Sequence, residues 1–425
     1  MKLSVKIYSI ILILFVYFIS STSVYATENK TAETLNPNTL YAKSAVLMDG
    51  SSGRVLYEKN GEEFLSNAST TKILTCIVAL EHGNLEDIVT VSSYAASMPD
   101  VQMHIREGEN YRLEDLLYSL MLESHNDSAV AIAEHIGGDC RGFSDMMNQK
   151  AKEIGCKNTY FLTPNGLDAT ETITEKDGTQ RIKNHGTTAI DLALIMRYCI
   201  KISEKKDDFL RITETPSHSF YNKIQGEDKT WSDGNRNFSC QNHNSFLQMM
   251  EGAISGKTGF TGKAGYCYVG ALKRENKVYI VALLACGWPG NKTYKWSDTR
   301  KLMSYGLEMY DYFEIETLSI DWETVLKNTV NWGKTEEIGE SAQIKCSRKG
   351  KEKMTGILLK EGEQIEIKVE KEELNAPVQK GQKAGIIFYN IDGETWLTEE
   401  MICAEDMEKI DYQWCIQQCL KRIGM

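Results

Sequence analysis

The chain has 425 residues, 42% of them apolar and 25% charged, with a formal net charge of −11. That length carries more than one domain with ample chain for a core, and the acidic balance argues against nucleic acid or an anionic surface as an electrostatic partner. Eleven cysteines, an odd number, show neither a paired framework nor a zinc pattern, so no metal and no organic cofactor are implied.

Lys2 and Lys6 precede an almost wholly apolar run from Ile7 to Ile19, and Val24-Tyr25-Ala26 ends on a small residue. Residues 1–26 therefore read as a secretory signal cleaved after Ala26, with an uncleaved anchor as the alternative. Losing Lys2 and Lys6 moves the charge from −11 to −13. Residues 27–40 are polar and predict a flexible lead. Most cysteines, Cys76, Cys199 and Cys286 among them, fall inside apolar runs and read as buried small hydrophobes.

A catalytic domain is expected over residues 41–312. It opens with a hairpin, Ala45 to Met48 turning through Asp49–Gly53 into Arg54 to Tyr57. Next comes Ser69-Thr70-Thr71-Lys72, an S-x-x-K pattern. Ile73, Leu74, Ile77, Val78 and Leu80 follow at helical spacing, which places Ser69 at the first turn of a buried helix ending near Gly83 and Lys72 one turn on. A serine hydroxyl needs a base within reach, and Lys72 serves if burial beside a second cation such as Lys257 keeps it neutral. A second match, Ser203 to Lys206, sits in the charged run to Asp208 and reads as a solvated surface turn.

Ser124-His125-Asn126 breaks two apolar helices, Leu113–Leu122 and Ala129–Ile136. In that loop Ser124 can relay a proton and the Asn126 amide can both donate to and accept from a peptide bond; helix capping is the bland alternative. Lys257-Thr258-Gly259 precedes a hairpin, Gly265–Leu272 and Val278–Leu284, so a strand edge carrying Lys, Thr and a small Gly can clamp an extended peptide by its terminal carboxylate. A phosphate loop fails on spacing, because only three residues separate Gly252 from Gly256. A helix is expected around Asp298 to Tyr312. From 318 to 404 short alternating strands such as Gln343–Cys346 and Gln364–Val369 predict a small β-sandwich. In the last segment, 405–425, Tyr412, Ile416, Cys419 and Ile423 share one helical face, which suits either a membrane interface or docking on the β domain.

Together the three motifs are the S-x-x-K, S-x-N and K-T-G set of serine enzymes that react with penicillin. With Pro164-Asn165-Gly166-Leu167-Asp168, Thr188 to Ala193, Asn242-His243-Asn244, Phe260 to Cys267 and Ala376 to Gln382, the chain resembles the serine-type D-alanyl-D-alanine carboxypeptidases, the low-molecular-mass penicillin-binding proteins of peptidase family S11. The resemblance implies an α+β, β-lactamase/transpeptidase-like catalytic domain followed by the small all-β domain. It implies removal of the terminal D-alanine from peptidoglycan stem pentapeptides through an acyl-enzyme on Ser69, outside the cytoplasm, with β-lactams as covalent inhibitors. Lys72 would be the base, Ser124 the proton relay and Asn126 a substrate-amide ligand. Lys257, Thr258 and Gly259 would line the carboxylate subsite, with an oxyanion hole from the backbone N–H groups of Ser69 and Phe260. His125 departs from the small residue usual at that position, and it invites a Ser-His-Asp reading instead. A β-lactamase, which needs a glutamate and a positioned water, and a non-catalytic peptidoglycan-binding protein are the competing classes.

Overall fold

Strands from both ends of the catalytic region meet in one sheet, with a helical layer between them in sequence. The computed structural model describes residues 35–174, 178–315, 318, 320–349 and 356–423. The expected signal at 1–26 and most of the lead lie outside the described residues. Residues 37–40, assigned to the lead on polarity, are structured: Pro37–Thr39 forms a helical turn, Leu40 is buried, and Lys59 and Lys301 donate to the carbonyls of Leu40 and Thr39. One apolar side chain and two lysine caps suffice to tie this stretch down.

The expected first hairpin is β1 (Ser44–Asp49) with β2 (Val55–Lys59). The helical middle holds α1 (Lys72–His82), α2 (Leu113–Tyr118), α3 (Asn126–Gly137), α4 (Cys140–Ile154) and α5 (Ala189–Arg197). A long hairpin, β3 (Ser217–Gln225) and β4 (Trp231–Gln241), leads to β5 (Ala253–Thr261), β6 (Gly265–Arg274) and β7 (Lys277–Leu284), and α6 (Tyr294–Met309) follows. The five-stranded sheet runs in the order β2-β1-β7-β6-β5, antiparallel throughout.

Central strands β1 and β7 are covered on both faces, which is why they read as apolar runs rather than as alternation. Val46, Met48, Ile280 and Ala282 enter the core shared with α1 and α5. On the other face Tyr279 donates its hydroxyl to the Gly306 carbonyl of α6. Helix α1 is buried from Lys72 to Leu80, as befits a helix enclosed on all sides, and its last turn ends at Gly83. Asp139 caps α4 by accepting from Gly142 N, and Gly155 closes it at φ +97°, a left-handed position that glycine takes without a Cβ penalty.

The expected helix through Tyr312 stops earlier. Helix α6 ends at Met309, and β8 (Tyr310–Glu314) pairs antiparallel with β11 (Gly356–Lys360), so the junction is a shared strand pair. A partner 46 residues downstream leaves no local trace in sequence, and aromatic Tyr310, Tyr312 and Phe313 favour strand. Strands β9 (Lys327–Asn331), β10 (Gln343–Arg348), β12 (Ile365–Lys371), β13 (Leu374–Asn375), β14 (Lys383–Ile391) and β15 (Glu394–Cys403) form a sheet ordered β12-β14-β15-β10-β9-β13. Its core includes Ile344, Ile387, Tyr389 and Met401. Arg54, after β1, forks onto Glu363 with two bonds of 2.7 Å and donates to the Leu358 carbonyl at 2.9 Å, while Leu358 N donates to Asp49 Oδ2 at 3.0 Å.

Helix α7 (Tyr412–Arg422) starts at Asp411, which accepts from Trp414 N. Trp414 Nε1 donates to Thr335 O and Gln418 is buried, so one face is docked on the β module. The opposite face leaves Tyr412, Ile416, Cys419, Leu420 and Ile423 exposed. No helix among the described residues is long and apolar enough to cross a membrane.

Candidate active site

Ser69 lies in a tight helical turn, Ala68–Thr71, that runs directly into α1. Asn67 holds the turn by donating to the hydroxyls of Thr70 and Thr71, each at 3.0 Å. Behind it sits the Pro164-Asn165-Gly166 loop: Thr75 donates to Pro164 O at 2.7 Å, and Asn165 O lies 3.4 Å from Ser69 Oγ. A Cβ on Gly166 would stand 2.1 Å from the Ala68 carbonyl, so only glycine lets this loop back the nucleophile. Thr71 also contacts His185 Nε2 at 2.9 Å, while His185 Nδ1 accepts from Leu162 N at 3.0 Å. Burial pushes His185 down to about 4, so the ring stays neutral with its proton on Nε2.

Lys72 is fully buried, and its Nζ lies 2.9 Å from Ser69 Oγ, 2.9 Å from Ser124 O, 3.3 Å from Ser124 Oγ and 2.7 Å from Asn126 Oδ1. Burial first, then the Lys257 charge, push its pKa well down, and Asp127 opposes them. A neutral amine has two N–H donors and one lone pair. The Ser124 carbonyl and Asn126 Oδ1 can only accept, so they take the two donors and leave the lone pair for the Ser69 hydroxyl.

The S-x-N segment is a break between helices, as its sequence predicts. Helix α2 continues into a wider turn at Ser119–Glu123, and Ser124 then takes φ +68° before α3 begins. Left-handed backbone at a non-glycine residue is uncommon and marks a conformation held by its surroundings. His125 finds room because Ser119 Oγ meets its Nδ1 at 2.8 Å. With its ring fixed there, and with Lys72 on Ser69, no Ser-His-Asp arrangement forms at Ser69.

Asn126 sits at the start of α3, within reach of Lys72. It is buried, its Oδ1 accepts from Lys72, and its Nδ2 donates to the carbonyls of Pro99 and Asp100, so its amide is spent on the protein.

Lys257-Thr258-Gly259 lies on β5, the free edge of the sheet. Tyr266 N and O both bond towards Gly287 and Cys286, and Tyr266 is opposite Phe260. In an antiparallel ladder such a pair is not hydrogen-bonded across, so the N–H of Phe260, and by alternation that of Thr258, point out from the sheet edge. A Cβ on Gly259 would sit 2.9 Å from Ser69 N, which shows how closely this strand passes the nucleophile. The outward N–H of Phe260 and the Ser69 N beside this strand are the two groups expected to form the oxyanion pair. Burial pushes the Lys257 ammonium down to about 7.

An open cleft of about 520 Å³ is lined by Ser69, Ser124, Lys257, Thr258, Gly259 and Phe260, which the sequence had singled out. Lys72 and Asn126 stand behind it. Sequence reasoning missed Glu123, Lys292, Lys295 and Trp296 on its walls. Lys295 is nearly buried, over the rings of Tyr266 and Trp296. The run Asn291 to Trp296, where the loop enters the first turn of α6, was the available signal. Ser203 was misread as solvated: it is 2% exposed and donates to Glu81 at 2.5 Å, a carboxylate that also pairs with Lys150 at 2.9 Å.

The sequence profile of the D-alanyl-D-alanine carboxypeptidases matches residues 29–286, and that of the C-terminal domain of penicillin-binding protein 5 matches residues 356–409. The D-alanyl-D-alanine carboxypeptidase DacF of Bacillus subtilis is 31% identical over 382 residues, 87% of each chain. Penicillin binding protein 5 of Haemophilus influenzae shares the fold at a TM-score of 0.64 and 24% identity, covering 88% of this chain and all of that one. A D-alanyl-D-alanine carboxypeptidase of Mycobacterium tuberculosis, 28% identical, superposes with a TM-score of 0.52 over 63% of this chain and 91% of its own. The S-x-x-K, S-x-N and K-T-G groups meet in one cleft of this shared architecture, and the chain belongs to the D-alanyl-D-alanine carboxypeptidase family, the serine peptidases of family S11.

Proposed function

We propose that this chain removes the terminal D-alanine from peptidoglycan stem pentapeptides through an acyl-enzyme on Ser69. The observation that carries the reading is the 2.9 Å approach of Lys72 Nζ to Ser69 Oγ, beside a strand edge bearing Lys257 and Thr258. The peptide lies along β5 with its carboxylate at Lys257 and Thr258. Lys72 takes the Ser69 proton as Oγ attacks the penultimate carbonyl, and the N–H groups of Ser69 and Phe260 hold the oxyanion. Ser124 Oγ, 3.3 Å from Lys72 Nζ, passes a proton to the leaving D-alanine amine, and water then cleaves the ester. β-Lactams enter the same sequence and stall as esters.

The β-lactamase alternative needs a glutamate free to activate water. Glu123 is the glutamate that lines the cleft, and its carboxylate is occupied by Gln241 N at 2.7 Å and His243 Nε2 at 2.6 Å. The protein acts outside the cytoplasm on this reading, with the exposed apolar face of α7 resting in a membrane interface.

The deciding experiment incubates the mature protein with benzylpenicillin and follows intact mass. A long-lived adduct mapped to Ser69, together with D-alanine release from a pentapeptide, supports the carboxypeptidase. Rapid penicillin turnover without an adduct means a β-lactamase. Neither adduct nor hydrolysis leaves a binding protein.

A further inference from the structure

Asn242-His243-Asn244 stands out in the sequence, yet the acyl-transfer steps give it no task. In the structure it spans the two walls of the cleft. On one side Glu123 Oε1 accepts from Gln241 N at 2.7 Å, Glu123 Oε2 meets His243 Nε2 at 2.6 Å, and His243 N donates to Leu122 O at 3.3 Å. On the other side Tyr268 donates its hydroxyl to Asn244 Oδ1 at 2.9 Å, and Tyr268 is the β6 residue opposite Thr258. Asn242 locks the segment between them: its Nδ2 donates to Thr213 O at 2.9 Å and Thr215 O at 3.0 Å, and its Oδ1 accepts from Asn244 N at 2.9 Å.

Glu123 is also the last residue of the wide turn and immediately precedes Ser124, whose φ of +68° is sterically unfavourable for a residue with a Cβ. Such a conformation persists only where the surroundings over-determine it. Two bonds to the Glu123 carboxylate fix the chain on the N-terminal side of Ser124, while Asn126 N, donating to Val101 O at 2.8 Å, fixes the C-terminal side.

We propose that Glu123 is a positioning residue: through His243 and Gln241 it ties the wall carrying Ser124 to the wall carrying Lys257 and Thr258, and so sets where the Ser124 hydroxyl stands against the scissile bond. Glu123 acts through Ser124 and touches neither nucleophile nor leaving group. Misplacing a proton-transfer group by about 1 Å costs roughly 100-fold in rate, so the effect falls on kcat. The carboxylate subsite on β5 is left in place, so KM changes little.

This inference rests on the acyl-enzyme reading above, and the test separates the two. Wild type, Glu123→Gln and Glu123→Ala are each acylated with benzylpenicillin to completion and then assayed with a D-alanyl-D-alanine peptide. The final stoichiometry counts folded sites, whereas the rate reports alignment. Glu123→Ala is expected to reach the wild-type stoichiometry at least about 10-fold more slowly, with kcat lowered and KM within about 2-fold. Glu123→Gln keeps an acceptor for Gln241 N and replaces the other acceptor by an N–H, which His243 Nε2 accepts once the ring carries its proton on Nδ1, so the variant is expected to stay within about 3-fold of wild type. The proposal is overturned if Glu123→Ala acylates at the wild-type rate, if both variants are equally slow, or if the loss lies in stoichiometry or KM alone. No adduct on wild type would instead remove the acyl-enzyme reading itself.

Discussion

Lys72 Nζ stands 2.9 Å from Ser69 Oγ, one helical turn on, with no histidine between them, the spacing that the proposed nucleophile–base pair requires. Ser69→Ala is therefore expected to abolish the penicillin adduct. Lys72→Ala is expected to slow acylation by about 1,000-fold while leaving the fold intact, because no buried charge is stranded by its removal. Ser203→Ala, in the second S-x-x-K match, should acylate normally. An undiminished rate in Lys72→Ala, measured by stopped-flow or intact mass, would assign the base elsewhere.

The two buried lysines give opposite pH effects. As the proposed base Lys72 works neutral, its pKa pushed down by burial, so kcat is expected to fall on the acid side as it takes up a proton. As the proposed carboxylate ligand Lys257 works charged, and burial pushes its pKa down to about 7, so the KM of a peptide with a free terminal carboxylate is expected to rise as pH climbs past that value. A C-terminal methyl ester has no charge to lose contact with, and its KM should stay flat. Equal KM profiles for acid and ester between about pH 6 and 9 would show that Lys257 does not hold the carboxylate.

His185 makes stability depend on pH in a predictable direction. Folded, it protonates near 4; unfolded, near its ordinary 6.5. Between those values the unfolded chain binds more protons, so stability is intact above about 6.5 and declines as pH falls towards 4, by up to about 3 kcal/mol. Comparing urea midpoints at pH 7 and pH 5 for wild type and His185→Gln isolates this contribution. The variant should lose distinctly less than wild type; parallel losses would mean that His185 is charged in the folded protein.

At the junction of the two modules, Arg54 and Glu363 are both mostly shielded and paired in bidentate fashion at 2.7 Å. Removing one partner of such a pair leaves the other under-satisfied. Arg54→Met is expected to weaken the junction by about 2 kcal/mol, read as faster proteolysis between α6 and β9, with the penicillin acylation rate unchanged. Resistance equal to wild type would mean that the β8–β11 pairing and the Asp49–Leu358 bond carry the junction without Arg54.

Residues whose partners are local were legible in the sequence. Ser69 and Lys72 lie one turn apart, the β6–β7 hairpin closes through a short turn, and α1 announces itself by its apolar spacing. Residues defined by distant partners were not. The strand at Tyr310–Glu314 pairs with Gly356–Lys360, and Ser203 is buried where it donates to Glu81, which comes 122 positions earlier. The β3–β4 hairpin escaped because it is polar on most positions of both strands and offers no alternation to read. The K-T-G strand was legible as a motif, but the outward donors of Thr258 and Phe260 follow only from the pairing of Tyr266 with Gly287.

The pairing of Tyr310–Glu314 with Gly356–Lys360, reinforced by Arg54, turns the C-terminal module from a tether into a strut. A tether lets an enzyme sample every height above the surface on which its tail rests; a strut lets it work at one. With α7 seated on a surface, the Ser69 cleft would stand at a fixed elevation, and stem peptides would be trimmed in a layer whose depth is set by the length of the β module.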